Sequence, residues 1–180
     1  MKLLAPSFEK LDDYYKSYWK YLKEEDVLSA LMEQGDITMK WLTSVPEEVE
    51  NYRYADGKWM LKEVIGHLCD TERILSYRAL RFARNDKTLL AGFDENDFVR
   101  ESNFQGRALK EISQEWKTIR SATISLFSSM TDEIADRTGN ANGIVLSPRI
   151  ILYFILVHER HHIQVIKERY LSTAFDSFNV

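Results

Sequence analysis

The sequence is poor in the residues that break helices and in the residues that cross-link chains. Its 180 residues include three prolines, seven glycines and a single cysteine. One cysteine cannot form an intrachain disulfide, and so few turn residues disfavour a fold built from many short strands. We therefore expect a mainly helical protein whose folding does not depend on disulfides.

Long apolar runs and clusters of positive charge are also missing. The most apolar stretch, residues 150–157, has charged neighbours and is too short to span a bilayer. The start of the chain lacks the apolar segment of a secretory signal. A net charge of −4 without a basic cluster disfavours binding to nucleic acid phosphates. The sequence thus predicts a cytoplasmic protein that binds neither membranes nor nucleic acids.

The length and composition are those of one globular domain. A chain of 180 residues can bury a substantial core, and 44% hydrophobic with 29% charged residues is an ordinary composition. No internal repeat or break in composition divides the chain. We predict a single domain over residues 1–180.

Four segments carry apolar residues at the three-and-four spacing of a helix face. They run from about Glu24 to Thr43, Trp59 to Arg84, Leu109 to Met130 and Pro148 to Tyr170. The last one has a clear start, because Ser147 is a suitable N-cap and proline suits the first helical position. No stretch of comparable length alternates with the period of two expected of strands. The pattern predicts an all-α protein with an antiparallel four-helix bundle.

Three segments outside these helices are of interest. The aromatic segment YYKSYWKYL, from Tyr14 to Leu22, is predicted to form a short extra helix. The connections Asn85–Arg107 and Thr131–Leu146 are longer than a bundle needs, and long loops in compact domains are often functional. The acidic group Asp94–Asp97 in the first connection could line the mouth of a site, although a plain polar loop is the alternative.

The histidines lie in the second and fourth predicted helices. His158 and His162 are four residues apart, so they project from one helix face, and that face is otherwise apolar. His67 takes an equivalent inward position in the second helix. Since facing helices of a bundle can bring such side chains to one point, His67, His158 and His162 are predicted to hold one divalent metal ion. His161 points away from the pair and is predicted to be a surface or supporting residue.

Two other interpretations of these histidines remain open. They could be plain core residues, although buried imidazoles would then each need hydrogen-bond partners. The run HERHH also matches the H-E-x-x-H motif of zinc proteases, with Glu159 as general base. A metzincin would continue with glycine and histidine where Val165 and Glu168 stand, so Glu159 is predicted to be a polar neighbour and not a base.

Other polar residues near the predicted site have weaker patterns. Asp70 lies one turn beyond His67 and could orient an imidazole, or it could be a solvated charge. Cys69 has no cationic neighbour in sequence and is predicted to be a buried, inert thiol. The remaining charges are predicted to be ordinary bundle charges, namely Glu63, Glu72 and Arg78.

Two stretches resemble a known family, YADGKWMLKEVIGHLCDTERILSYRALRFARNDKTLLAGFDEN and LYFILVHERHHIQVIKERYL. Over about residues 24–171 the chain is similar to the DinB/YfiT-like metalloenzymes. The resemblance implies a four-helix bundle, often a homodimer, with a nickel- or zinc-type ion held by His67, His158 and His162. One departure is Met60, where relatives commonly carry serine or threonine that would form a capping box with Glu63. That departure leaves the start of the second helix uncertain.

Three neutral histidines would leave a divalent ion with open positions for water or substrate. Such an ion can activate water or bind a substrate thiol. The expected function is a metal-dependent hydrolase of a small molecule. The alternatives are an S-transferase using a low-molecular-weight thiol such as bacillithiol or mycothiol, as some similar proteins do, and a non-catalytic bundle stabilised by its metal.

Overall fold

Four long helices dominate the computed structural model, which describes residues 2–171. Within that range there are eight α-helices and one two-stranded antiparallel hairpin. The helices are α1 (Asp13–Lys16), α2 (Val27–Leu42), α3 (Glu47–Glu50), α4 (Leu61–Ala83), α5 (Glu95–Glu101), α6 (Leu109–Ser128), α7 (Asp132–Ala135) and α8 (Pro148–Val165). Three 3₁₀ turns (Phe8–Lys10, Trp19–Tyr21 and Phe104–Gly106) and a π-helical extension of α8 (Ile166–Leu171) complete the helical elements. The predicted four-helix bundle, formed by α2, α4, α6 and α8, is confirmed.

The helix starts follow from local capping. The Ser147 hydroxyl accepts a hydrogen bond from the Ile150 N–H at 3.2 Å, and α8 begins at Pro148 as predicted. The first long helix starts later than its apolar pattern suggested. Asp26 accepts a hydrogen bond from the Ser29 N–H at 3.3 Å and fixes the start of α2 at Val27.

The start of α4 keeps half of a capping box. Met60 has no side-chain oxygen to offer, but the Glu63 carboxylate accepts a hydrogen bond from the Met60 N–H at 2.6 Å. The same carboxylate lies 3.1 Å from the Arg53 guanidinium. Because Glu63 supplies the reciprocal bond alone, the helix begins at Leu61 despite the methionine.

The helices are not arranged as a simple up-and-down bundle. Each of α2 and α4 packs against both α6 and α8, so α2 and α4 lie on one diagonal. Cys69 in the first half of α4 contacts Ile112 near the start of α6, and Ser76, further along α4, contacts Thr123, further along α6. These two neighbours are therefore parallel, whereas α4 and α8 are antiparallel. The chain must return along the bundle between α4 and α6, which explains the long connection over residues 84–108.

Two apolar clusters fill the two ends of the bundle. One contains Leu31, Phe82 and Leu156, and the other contains Leu61 and Trp116. Between them lies a layer of buried polar side chains, namely His67, Thr71, Glu72, Arg120, Thr38, His158 and Glu159. Buried polar groups are costly unless they are paired, so this layer marks the part of the bundle where function is to be sought.

The second long connection contains a hairpin that the sequence pattern did not predict. Strands β1 (Gly139–Ala141) and β2 (Ile144–Leu146) are joined by Asn142 and Gly143, whose φ angles are 54° and 79°. Two successive positive φ values are typical of the tight turns that Asn-Gly favours. Leu90 exchanges backbone hydrogen bonds with this hairpin, so the two long connections are fastened to each other.

The remaining predictions are met in part. The aromatic segment forms α1 and the 3₁₀ turn Trp19–Tyr21 in place of one continuous helix. Among residues 2–171, no helix is both long and apolar enough to cross a membrane. Residues 172–180 lie outside the described part, so the single domain over residues 1–180 stays a prediction.

Candidate metal centre

The three predicted histidines meet in the polar layer between α4 and α8. His67 comes from α4, and His158 and His162 come from successive turns of α8. The Nε2 atom of His158 lies 3.3 Å from Nε2 of His67 and 3.1 Å from Nε2 of His162. One ligand atom from each side chain lies within 4.8 Å of the other two. The antiparallel packing of α4 on α8 thus brings together residues far apart in sequence.

These separations can be compared with those around a metal ion. For metal–nitrogen distances of about 2.0–2.1 Å, neighbouring nitrogens are about 3.4 Å apart in a tetrahedral site and about 2.9 Å apart in an octahedral one. The two separations that involve His158, 3.1 and 3.3 Å, fall inside this interval, and the ligand atoms of all three residues lie within 4.8 Å of one another. The donor set therefore fits a divalent transition-metal ion, and imidazole nitrogen suits zinc, nickel, copper and iron.

Burial keeps all three imidazoles neutral near pH 7. It lowers the pKa of His67 to about 4. It lowers the pKa of His158 and of His162 well below the ordinary value, with a smaller contribution from the neighbouring imidazoles. Neutral imidazole is the form that binds metals, so no proton has to be displaced at neutral pH. As plain core residues, His67 and His162 would both have to share the single Nε2 of His158 as their hydrogen-bond partner.

Thr71 and Trp59 surround the imidazole of His67. Oγ1 of Thr71 lies 3.5 Å from Nδ1, and the Trp59 ring centroid lies 4.9 Å from the imidazole centroid. Asp70 does not take the orienting role considered for it. Its carboxylate lies 3.7 Å from the Arg73 guanidinium on the side of α4 that faces α6. Thr71, four residues after His67, therefore contacts the imidazole, whereas Asp70, three residues after it, does not.

His161 is a supporting residue at the edge of the cluster. Its Nδ1 lies 3.0 Å from the Tyr21 hydroxyl, and its ring centroid lies 5.1 Å from that of His162. Glu159 faces the other side of α8, where it contacts the Thr38 hydroxyl and the Arg120 guanidinium. It is a polar neighbour of the site, as predicted, and is not placed to act as a base.

Cys69 is buried and does not face the cluster. Its thiol donates a weak hydrogen bond to the Ile112 carbonyl oxygen at 3.8 Å, and burial raises its pKa above the ordinary value. A protonated, enclosed thiol is a poor nucleophile. The structure agrees with the prediction of an inert cysteine.

A cleft of about 460 Å³ opens onto the histidine cluster. Its walls come from the segment around α1, Trp59 before α4, the middle and second half of α4, the α4–α5 connection, the hairpin and α8. The aromatic members are Tyr14, Tyr15, Tyr18, Trp59, Phe93 and Phe154. Burial raises the pKa of Tyr15 to about 12, so this phenol stays neutral. The cleft offers a small molecule both aromatic and polar side chains, with the imidazoles among them.

Sequence reasoning missed most of these wall residues. The aromatic segment around α1 was predicted only as an extra helix, although its density of tyrosines was a visible signal. Of the acidic group in the long connection, Glu95 does line the cleft, while Asp94 caps α5 by accepting from the Asn96 N–H at 2.8 Å. Arg78, predicted to be an ordinary charge, also lines the cleft.

Comparison with known proteins places the chain in a family. The sequence model of the DinB superfamily matches residues 30–166, which is most of the chain. The protein belongs to the DinB superfamily. No sequence match is found among curated proteins.

Solved structures of DinB-like proteins share the fold at low sequence identity. YfiT from Bacillus subtilis, described as a probable metal-dependent hydrolase with an unusual four-helix bundle topology, superposes with a TM-score of 0.74 at 16% identity, covering 95% of this chain and 94% of that one. A DinB-like protein from the same organism, YjoA, gives a TM-score of 0.60 at 14% identity, covering 86% of this chain and 95% of that one. The parallel packing of α4 and α6 is the respect in which the present bundle departs from simple up-and-down order.

A third similar structure is the mycothiol-dependent maleylpyruvate isomerase. It gives a TM-score of 0.61 at 9% identity and covers 92% of this chain. The present chain spans 63% of the length of the isomerase. At these identities the three likenesses show a common fold.

Proposed function

We propose that this DinB-superfamily protein is a metal-dependent hydrolase of a small molecule and that His67, His158 and His162 hold its single divalent ion. One observation carries the proposal. Three imidazoles that burial keeps neutral converge at nitrogen separations of 3.1 and 3.3 Å, at the end of a cleft sized for a small molecule. The description of YfiT as a probable metal-dependent hydrolase supports the same reaction class.

The side chains around the cluster have separate tasks under this proposal. A bound divalent ion would supply Lewis acidity, the property by which it makes water or a thiol more acidic. Trp59 packs on the ring of His67, and Phe154 packs on that of His158 at a centroid distance of 5.2 Å, so both restrict imidazole rotation. Aromatic side chains line the space next to the cluster, and the water that they displace there would strengthen electrostatic interactions.

The ion itself is proposed to be nickel or zinc. Neutral imidazole nitrogens suit both, and the observed separations lie between tetrahedral and octahedral values. Elemental analysis of the purified protein, followed by competition between the two ions, would decide between them. About one ion per chain is expected, and no transition metal after loading would contradict the site.

The hydrolase is tested by assaying the metal-loaded protein on a panel of small esters and amides. His158→Ala should lose the ion and the turnover together. His161→Ala is the matched control, because it removes a neighbouring imidazole that does not point at the shared centre, and it should keep one ion per chain. Turnover that survives unchanged in His158→Ala would overturn the proposal.

A thiol transferase is the second candidate. The structural likeness to a mycothiol-dependent isomerase favours it, and Cys69 is fully buried, so any reacting thiol would have to come from a co-substrate. Adding a low-molecular-weight thiol and an electrophile to the metal-loaded protein tests this. Thiol consumption that requires the ion, with no hydrolysis of the ester and amide panel, would favour the transferase.

A non-catalytic bundle stabilised by its metal is the third candidate. It predicts that chelation lowers the melting temperature while no substrate of either panel is turned over. The homodimer implied by the family resemblance and the cytoplasmic location stay predictions. Sedimentation of the metal-loaded chain would test the first of them.

A further inference from the structure

Arg78 is a buried cation with little to neutralise it. The residue is 7% exposed, and one guanidinium nitrogen donates to the Ala91 carbonyl oxygen at 2.8 Å. The guanidinium carbon lies 5.9 Å from the centroid of the Phe93 ring. Among residues 2–171, no carboxylate lies within 4.0 Å of this guanidinium, whereas the buried Arg120 is paired with two glutamates. A guanidinium has five donors, and the structure accounts for few of them here.

An unpaired buried cation is unfavourable, so its position needs an explanation. Burial lowers the pKa of Arg78, which reflects the cost of holding its charge away from water. The Ala91 carbonyl could be satisfied by water or by a neutral donor, because that segment lies at the surface. A guanidinium is the side chain that matches a planar oxyanion with two parallel hydrogen bonds. These facts favour a ligand as the missing partner.

Arg78 and the histidine cluster face the same cleft. His67, Thr71 and Arg78 follow one stripe of α4, and all three line the cleft together with Tyr15 and Phe154. The ring of Tyr15 lies 4.8 Å from that of Phe154, which in turn lies 5.2 Å from His158. An aromatic wall thus connects the guanidinium to the imidazoles.

The charge of the cleft also favours an anion. Its lining contains one guanidinium, Arg78, and one carboxylate, the exposed Glu95. A divalent ion would therefore make the interior of the cleft strongly positive although the whole chain carries −4. Such a local excess attracts anionic ligands.

We infer that Arg78 forms an oxyanion subsite that binds the carboxylate or phosphate end of a small molecule whose other end reaches the histidine cluster. The inference rests on the proposed metal site and adds the substrate class to it. The occupant has an apolar middle, because the wall between the two ends is aromatic. The backbones of residues 67 and 78 are about 16 Å apart along the helix axis, and their side chains span part of this distance. The polar ends of the occupant are therefore several bonds apart.

Calorimetric titration of the zinc-loaded protein with a matched pair of probes tests this without any turnover. Adipate carries a carboxylate at each end, and pentanoate carries one on a chain of similar length. Adipate should bind on the order of tenfold more tightly than pentanoate in the wild type. Arg78→Met should reduce this ratio to near one, and Arg78→Lys should restore part of it. Replacing adipate by 5-phosphonopentanoate then tells a phosphate preference from a carboxylate preference.

Arg73→Met is the matched control. Arg73 lies on the same helix but pairs with Glu115 at 2.6 Å, away from the cleft, so its replacement should leave the ratio unchanged. A ratio near one in the wild type for every dicarboxylate from succinate to suberate would overturn the subsite. So would an unchanged ratio in folded Arg78→Met, or in Arg78→Gln if the methionine variant does not fold.

The outcomes separate the subsite from the hydrolase. If adipate is preferred through Arg78 while no ester or amide is hydrolysed, the subsite stands and the proposed reaction fails. If esters are hydrolysed equally well with and without a second carboxylate, the reaction stands and the subsite fails.

Discussion

Arg120 and Glu72 form a two-pronged ion pair in the middle of the bundle. Nε and Nη2 of the arginine donate to the two carboxylate oxygens at 2.9 and 2.8 Å, and both side chains are 4% exposed. Nη2 also lies 2.7 Å from the Glu159 carboxylate, which belongs to the residue after His158. One guanidinium therefore ties α6 to both helices that carry the histidine cluster.

Arg120→Met should strongly destabilise the fold. It leaves two buried carboxylates without their cation, and breaking a buried pair in this way costs about 3–5 kcal/mol. Urea unfolding at pH 7 measures the loss in free energy of unfolding. Arg73→Met is the exposed control and should cost less than about 1 kcal/mol. Equal effects of the two variants would contradict the role given to Arg120.

Removing the metal should lower the stability of the folded protein. A ligand that binds only the folded state adds about 2.7 kcal/mol when its free concentration is a hundred times its Kd. The melting temperature should therefore fall on chelation and recover when zinc or nickel is restored. His162→Ala should melt at the same temperature with and without chelator. A chelator effect that persists in this variant would place the ion elsewhere.

The metal-free protein should lose stability as the pH falls from about 6.5 to about 4. Burial lowers the pKa of His67 to about 4, while an unfolded histidine titrates near 6.5. Above pH 6.5 the imidazole is neutral in both states and contributes nothing. Below it the unfolded state binds the proton first, so unfolding becomes easier by up to about 3 kcal/mol for this one residue.

Denaturant unfolding in the presence of EDTA at several pH values measures this effect. His67→Leu should unfold with a weaker dependence on pH over the same window, because it lacks that proton-binding group. A wild type whose stability stays level between pH 6.5 and 4 would contradict the burial of neutral imidazoles.

Thr71→Val should weaken metal binding without unfolding α4. The substitution keeps the shape of the side chain and removes the oxygen that lies 3.5 Å from Nδ1 of His67. Loss of a group that orients a metal-binding histidine typically reduces affinity by about 10- to 100-fold, and the long contact places the expected effect near the lower end. Competition with a chromogenic chelator gives the affinity.

The control for Thr71→Val is Thr123→Val. Thr123 is also a buried threonine, but its hydroxyl pairs with Ser76 at 2.9 Å, away from the histidines. Its replacement should leave the metal affinity unchanged. Identical affinities in both variants and the wild type would show that Thr71 does not orient His67.

The sequence revealed the three histidines because each one interrupts the apolar stripe of its own helix, and such a stripe is a local property. His158 and His162 are one helical turn apart, and His67 interrupts an apolar stripe in the same way, so the pattern alone selects these three. The cleft could not be found in this manner. Tyr15, Arg78 and Phe93 line one cleft only because segments distant in sequence fold against α4, and their local sequence patterns do not show this.

The order of the helices was equally hidden. An apolar stripe shows which face of a helix is buried but not which neighbour covers it, so the parallel packing of α4 on α6 left no mark in the pattern. The length of the connection after Ala83 was the one sequence feature that indicated the parallel packing. The hairpin did leave a signal, the Asn142-Gly143 pair, but strands of three residues are too short to show alternation.

The position of the histidines along the chain has a consequence for the unfolded state. His67 and His158 are 91 residues apart in sequence, yet their ring nitrogens lie 3.3 Å apart in the fold. On the proposed function, one ion would close a loop of about half the chain, and long loops are those whose closure restricts an unfolded chain most. A protein with a single cysteine would thereby gain a removable cross-link, and its folding cooperativity would depend on the supply of metal.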